Sequence, residues 1–221
     1  MSLDFSVIPR FFPMLMEGAL TTVYLTFCAV GLGVVFGLLA ALMKMSKILP
    51  LRWLAIAYIE AIRGTPQLVQ LFLLFYGVPQ LLGVNIPEFS AAILALGINS
   101  GAYVAEIIRA GIQAVDFGQT EGAYSLGMRP AQTMVYIILP QAIKNILPAL
   151  GNEFISLLKS SSIVSVIGMS DLTRKSDIIR SITYRPFEPL LTIAVIYFIM
   201  TFVFSKLLNV LEGRLKKSDT R

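Results

Sequence analysis

Five apolar stretches, separated by polar or glycine- and proline-rich breaks, set the layout of this chain. Residues 19–43 hold no charged side chain. About 20 apolar residues cross a bilayer as a helix, so a first span is predicted over residues 17–45. Gly33 and Gly37 within it are four apart, a spacing of small residues that lets helices pack closely. A second apolar run, residues 53–82, is interrupted around Glu60, Arg63, Gly64 and Pro66. Proline lacks an N–H and disfavours helix at the residue before it, which predicts a break there. The third run, residues 88–109, is apolar after its opening glutamate until Glu106 and Arg109. The fourth, residues 142–169, is the least apolar, and the fifth covers residues 188–211. Residues 3–12 read either as an amphipathic segment lying on the membrane and ending at Pro13, or as a frayed terminus.

The polar segments between these runs give the chain a direction. Lys44, Lys47 and Arg52 follow the first run, residues 79–88 contain no lysine or arginine, and Arg109, Arg129 and Lys144 surround the polar segment 113–141. Positive charge collects on the cytoplasmic side of membrane proteins. This predicts an external N-terminus, a cytoplasmic 113–141 loop and a cytoplasmic basic tail carrying Arg214, Lys216, Lys217 and Arg221. Residues 170–188 break the rule with Arg174, Lys175, Arg180 and Arg185 on the outside. An external amphipathic helix able to meet a docked protein is one reading, and a plainly solvated charged segment is the other.

Composition agrees with a membrane-embedded chain. Only 14% of residues are charged, against about 25% in soluble domains, and mean hydropathy is +0.77. The expected fold is an all-α polytopic membrane protein of five transmembrane helices, forming a single domain over residues 1–221. There is no histidine and one cysteine, Cys28, so His-based catalysis, disulfides and metal clusters have no residues to build them. The net charge of +5 sits at span ends, where it orients the chain and does not call for nucleic acid. No cleavable signal peptide is expected, because residues 1–13 lack a basic start followed by an apolar core. The absence of a Walker-type glycine loop means that this chain is not expected to hydrolyse ATP or act as an enzyme.

Polar groups at membrane depth are the candidates for ligand chemistry, since they are tolerated only against other helices or a cavity. Asn99 and Tyr103 share a face of the third span, four residues apart. Asn152, Glu153 and Ser156 lie in the fourth. Glu153 suits an ammonium or another cationic group of a substrate. Equally, it suits a structural pair with Lys159, about 9 Å along the helix, or with Arg63. Glu60 and Arg63 are three apart and are placed to pair with each other.

The segment Glu121-Gly122-Ala123-Tyr124-Ser125-Leu126-Gly127 reads as a short helix ended by a left-handed glycine cap, with Pro130 restarting the chain and Leu139-Pro140 closing it. It resembles the EAA signature of ABC-importer permeases, with Gly122 in place of one alanine. Glu60, Arg63, Gly64, Thr65, Pro66, Leu68 and Gln70 match the E-x-x-R-G-T-P-x-L-x-Q block of polar amino-acid permeases. The runs from Asn99 to Ile112 and from Asn152 to Lys159 resemble the same family. The chain is therefore identified as similar to the permease subunits of type I importers for histidine, glutamine and arginine.

That resemblance implies a set of partners. Two copies of an ATP-binding subunit would carry ATP-Mg, with no cofactor in this chain. A second permease subunit, identical or paralogous, and an extracytoplasmic solute-binding protein would complete the assembly in a bacterial cytoplasmic membrane. A polar amino acid would cross by alternating access, and the single carboxylate Glu153 leans the choice toward a basic one. Glu121, Gly122, Ala123 and Gly127 would couple to the ATPase, and Asn99, Tyr103, Asn152, Glu153 and Ser156 would meet the substrate. The alternative is an ion-coupled secondary transporter, which ordinarily carries inverted repeats; none is visible.

Overall fold

The computed structural model describes residues 3–216, and side chains through residue 213; Lys217 and Arg221 of the predicted tail lie outside the described residues, as do the side chains of Arg214 and Lys216. The described chain is helical throughout, without strands. Its helices are α1 (Ile8–Met45), α2 (Leu49–Arg63), α3 (Gln67–Phe72), α4 (Val78–Leu82), α5 (Glu88–Gln113), α6 (Phe117–Ser125), α7 (Pro130–Thr133), α8 (Leu139–Ser160), α9 (Leu172–Thr183) and α10 (Phe187–Lys216).

Among the described residues, four continuous helical stretches are long and apolar enough to cross a membrane: residues 5–45, 88–113, 130–167 and 187–213. The second predicted span is not one helix. It consists of α2 and, after the turn Gly64–Pro66, a shorter apolar helical run from Gln67 to Leu82. Neither does the chain stop at Pro13. The segment expected to end there is continuous with α1, which runs through Pro13 from Ile8. One missing N–H in the second turn of a 38-residue helix removes a single bond.

Packing registers fix the direction of each helix. A Cβ added at Gly33 would fall 2.9 Å from Ser100, and one at Gly37 would fall 2.5 Å from Val104. Both numbers rise together, so α1 and α5 run parallel, and the small-residue spacing predicted for α1 does bring the two backbones together. The segment between them must travel back. Gly111 meets Ile146 while Ser100 meets Glu153, so α8 is antiparallel to α5. Gly151 packs on Leu208, and Phe154 on Phe204, which makes α10 antiparallel to α8. The N-terminal half of α1 and α9 thus lie at one end, where Gly18 packs against Leu172 and Lys175. Lys44, the α2 start and α6 lie at the other.

The amphipathic helix predicted within residues 170–188 is α9. Asp171 caps it, accepting from the Thr173 and Arg174 amides at 3.1 and 2.9 Å. Burial pushes that carboxyl up to about 6. Leu172 and Ile179 seal it against Leu15 and Ile193 in an apolar core.

Two prolines shape the long helices. A wide π turn, Leu73–Gly77, ends just before Pro79, and another, Met134–Ile138, just before Pro140. In each, the residue ahead of the proline donates five residues back, Val78 to Leu73 and Leu139 to Met134. The widened turn absorbs the ring that would clash with an α-helical ladder. Pro140 therefore does not close the polar segment. The helix restarted at Pro130 continues through it to Ile167.

Candidate functional site

The polar cluster at mid-bundle begins at the break between α2 and α3. Ending α2 at Arg63 leaves carbonyls without helical partners. Gln70, 7% exposed, closes the gap. Its Nε2 donates to Ile62 O at 2.7 Å, to Thr65 O at 3.1 Å and to Thr65 Oγ1 at 2.8 Å. Its Oε1 accepts from Asn99 Nδ2 at 2.9 Å. One amide thus staples the break and ties it to α5. At the same break Gln67 Nε2 is buried without a partner.

The next residue of α5, Ser100, is fully buried and donates to Glu153 Oε1 at 2.9 Å. Its position is fixed by Gly33, whose missing side chain leaves the room it fills. A polar path of two separate bonds, made by consecutive residues of α5, therefore runs from the α2–α3 break to α8.

The sequence-predicted substrate residues divide into two sets. Asn99 is 8% exposed and committed to Gln70, so it positions the cluster and presents little surface to a ligand. Glu153 is half-buried. It forms no ion pair with Lys159, Arg63 or any other cation among the described residues. Asn152 and Ser156 are exposed, one turn apart, on the face that Lys159 continues. Tyr103 is 39% exposed, and the Arg63 guanidinium stands 5.5 Å from its ring centre. The expected Glu60–Arg63 pair does not form. Both side chains are exposed, and with Ile59, Gly64 and Tyr103 they line a cavity of about 320 Å³. Gln70, present in the sequence motif, was not expected to act here. Its role depends on a partner 29 residues away, which local spacing does not reveal.

The second candidate region is α6. Asp116 caps its start, accepting from the Gly118 amide at 2.7 Å. At its end Gly127 has φ +77, the left-handed conformation predicted for it. The Gly127 amide donates to Tyr124 O and the Met128 amide to Ala123 O, at 2.9 and 3.1 Å. These two bonds make a complete Schellman cap. Pro130 opens the next helix, as expected. The two small residues of the signature point differently. Ala123 is 5% exposed, turned into its own chain, whereas a Cβ at Gly122 would meet nothing within 4 Å. Glu121 is exposed beside it, and Phe117, Tyr124 and Leu126 present apolar surface at 71%, 49% and 84% exposure.

Comparison with known proteins covers nearly the whole chain. Residues 33–217 match the family described as binding-protein-dependent transport system inner membrane component. The arginine transport system permease protein ArtQ of Bacillus subtilis is 41% identical over 219 residues, 99% of this chain and 100% of that one. A putative glutamine transport system permease protein GlnP of Rickettsia bellii is 42% identical, covering 91% of this chain and 92% of that one. A crystal structure of an amino acid ABC transporter with histidines superposes with TM-score 0.94 at 61% identity, over 97% of this chain and 100% of that one.

Proposed function

The chain belongs to the binding-protein-dependent transport system inner membrane component family, as a permease subunit of amino-acid ABC importers, and we propose that it moves a polar amino acid bearing a cationic group past Glu153. The observation that carries this reading is the state of that carboxylate. It lies at bundle depth, held by one hydroxyl and by no cation of its own chain among the described residues. A charge in such a place is costly unless something pairs with it, and a substrate ammonium or guanidinium supplies the pair. Asn152 and Ser156 on α8 and Tyr103 on α5, all exposed, are the substrate's further contacts in this reading. Asn99 and Gln70 hold the wall in place. The names of two similar proteins, an arginine transport system permease protein and an amino acid ABC transporter with histidines, agree with that lean.

A second permease subunit closes the path from the other side. Two ATP-binding subunits, which carry ATP-Mg, receive α6 through Glu121, Gly122 and the exposed aromatic residues around them, with Gly127 fixing the helix end. Ala123 anchors α6 to its own chain. ATP-bound and ATP-free partners then bias two arrangements of the bundle, which is what coupling requires. An external solute-binding protein delivers substrate at the α9 end. The N-terminus lies outside and the basic C-terminus in the cytoplasm of a bacterial inner membrane, and one membrane domain performs the whole task.

Titration calorimetry tests the reading. The permease–ATPase complex, without binding protein, is titrated with arginine, lysine, histidine, glutamine and glutamate. Saturable heat with the cationic members, abolished by Glu153→Gln, supports it. Equal heat with glutamate removes the lean toward a basic substrate, and binding unchanged by the substitution overturns the role of Glu153.

A further inference from the structure

The end of the bundle that carries α6 holds a second cavity, separate from the polar path. It measures about 540 Å³ and is lined by Lys44, Met45, Ser46, Arg52, Arg109 and Gln113. Three cations from three helices converge on it. Only one of their charges is answered among the described residues. Glu106 pairs with both Lys44 and Arg109, while Arg52 has no ion pair among the described residues. The cavity mouth therefore keeps a surplus of about two positive charges.

The same corner of the bundle carries an apolar groove of about 430 Å³, lined by Phe36, Leu39, Ala40, Met43, Leu54 and Tyr58 among others. Ala40 lies four residues before Lys44 on α1 and Ala55 three after Arg52 on α2, and both line the groove, so on each helix the groove continues the face that carries the cation. Leu39 and Leu54 are 53% and 61% exposed along it. Basic pockets between membrane helices bind anionic head groups. Here the neighbouring groove supplies the complementary apolar channel. We propose that this cavity and groove form one site for an anionic phospholipid, its phosphate among Lys44, Arg52 and Arg109 and an acyl chain along α1 and α2. The charge surplus selects the head group, and the groove selects a molecule with a chain. The site requires only that the bundle sit in a membrane, and it stands apart from any role of Glu153.

Such a lipid would bridge the α1–α2 turn to the C-terminal end of α5, which leads directly into α6. The chain provides its own reporter: Trp53 is its single tryptophan, next to Arg52 and 67% exposed. The permease–ATPase complex is titrated with phosphatidylglycerol or phosphatidylcholine brominated on the acyl chain. The Trp53 signal is the difference between the native complex and a Trp53→Phe complex. Brominated phosphatidylglycerol should quench at a mole fraction lower by about fivefold or more, the effect of roughly one interfacial cation. Arg52→Gln should remove most of that preference, whereas Arg180→Gln, at the opposite end, should leave it intact. Inorganic phosphate, compared with chloride at equal ionic strength, should leave the curves unchanged. Equal quenching by the two lipids, or a preference that survives Arg52→Gln, overturns the proposal. Loss of the preference in phosphate alone would mean a free-anion site and also overturns it. No quenching by either lipid would mean that a protein subunit covers the groove, which overturns it too.

Discussion

The mid-bundle cluster is assembled from residues far apart in sequence, whereas α6 is finished by bonds within a dozen residues. Gln70 reaches Asn99, and Ser100 reaches Glu153 across 53 positions. The Asp116 and Gly127 caps reach no further than five residues. The first region is interlocked, so that a change in one helix is felt by the next, which suits the substrate path proposed for it. The second is self-supporting and turned outward, which suits the coupling role proposed for it. A non-local network loses function when any member is altered. A local motif loses it only when the exposed side changes.

The largest effect should come from the centre of the network. Glu153→Gln keeps the hydrogen bond with Ser100 and removes the charge. Removing one partner of a buried charge pair costs about 2–5 kcal/mol. A cationic substrate should thus bind at least about 30-fold more weakly, while the complex still assembles. Calorimetry on the intact complex reads this directly, and an unchanged affinity would make the carboxylate structural.

Gly122→Trp probes the opposite region. The position faces open space in this chain, so its stability should change by no more than about 0.5 kcal/mol. Coupling between sites is usually worth about 1–3 kcal/mol, and a ring wedged between α6 and the ATPase should remove it. Substrate-stimulated ATP hydrolysis and uptake should both fall to background at an unaltered melting temperature. Ala123→Arg, by contrast, should lower the melting temperature as well, because that position is buried. Normal uptake by Gly122→Trp would take the coupling role away from this face.

What the sequence made legible follows the same division. The Gly127 turn and the Pro130 restart could be read in advance because glycine φ and proline φ are properties of single residues. The long apolar runs were legible because a bilayer demands length and composition alone. Glu153 stood out as a carboxylate at depth. The roles of Gln70 and Asn99 did not, since both depend on how a broken helix folds back against α5. The inward turn of Ala123 and the outward turn of Gly122 are set by where α6 lies on Met134–Ile138, a tertiary matter. The Glu60–Arg63 pair was expected from spacing, yet Arg63 sits over Tyr103 instead, a contact between helices that spacing does not encode. The π turns before Pro79 and Pro140 arise where apolar helices continue through a proline that ordinary rules treat as a stop.

Gln70→Leu should act next in size. It strands the buried Asn99 amide, at a cost of about 1–3 kcal/mol, and leaves the part-buried Ile62 O and Thr65 O to water. The melting temperature should fall and cationic substrate should bind more weakly. Asn99→Leu together with Gln70→Leu should cost less than the sum of the two single changes, because they share a bond. Additive losses would show that the amides act separately and that the staple is not a unit.

The mildest change tests whether the network reaches Glu153 through Ser100. Gly33→Ala places a methyl 2.9 Å from both Ser100 Cβ and Ser100 Oγ, with the Gly101 amide nitrogen at 3.3 Å. Overpacking of this kind costs about 1–3 kcal/mol, and α5 relieves part of it by shifting away from α1. The Ser100 hydroxyl moves with α5, so its bond to Glu153 lengthens while the carboxylate keeps its charge. Substrate affinity should therefore drop by only a few fold, far less than in Glu153→Gln. The double variant Gly33→Ala with Ser100→Ala should bind no more weakly than Ser100→Ala alone, since the bond that the methyl disturbs is already gone. If Gly33→Ala still lowers affinity in the absence of that hydroxyl, then α1 reaches the substrate path by some contact other than Ser100. The mid-bundle region would in that case be a general packing core, not a chain of named hydrogen bonds.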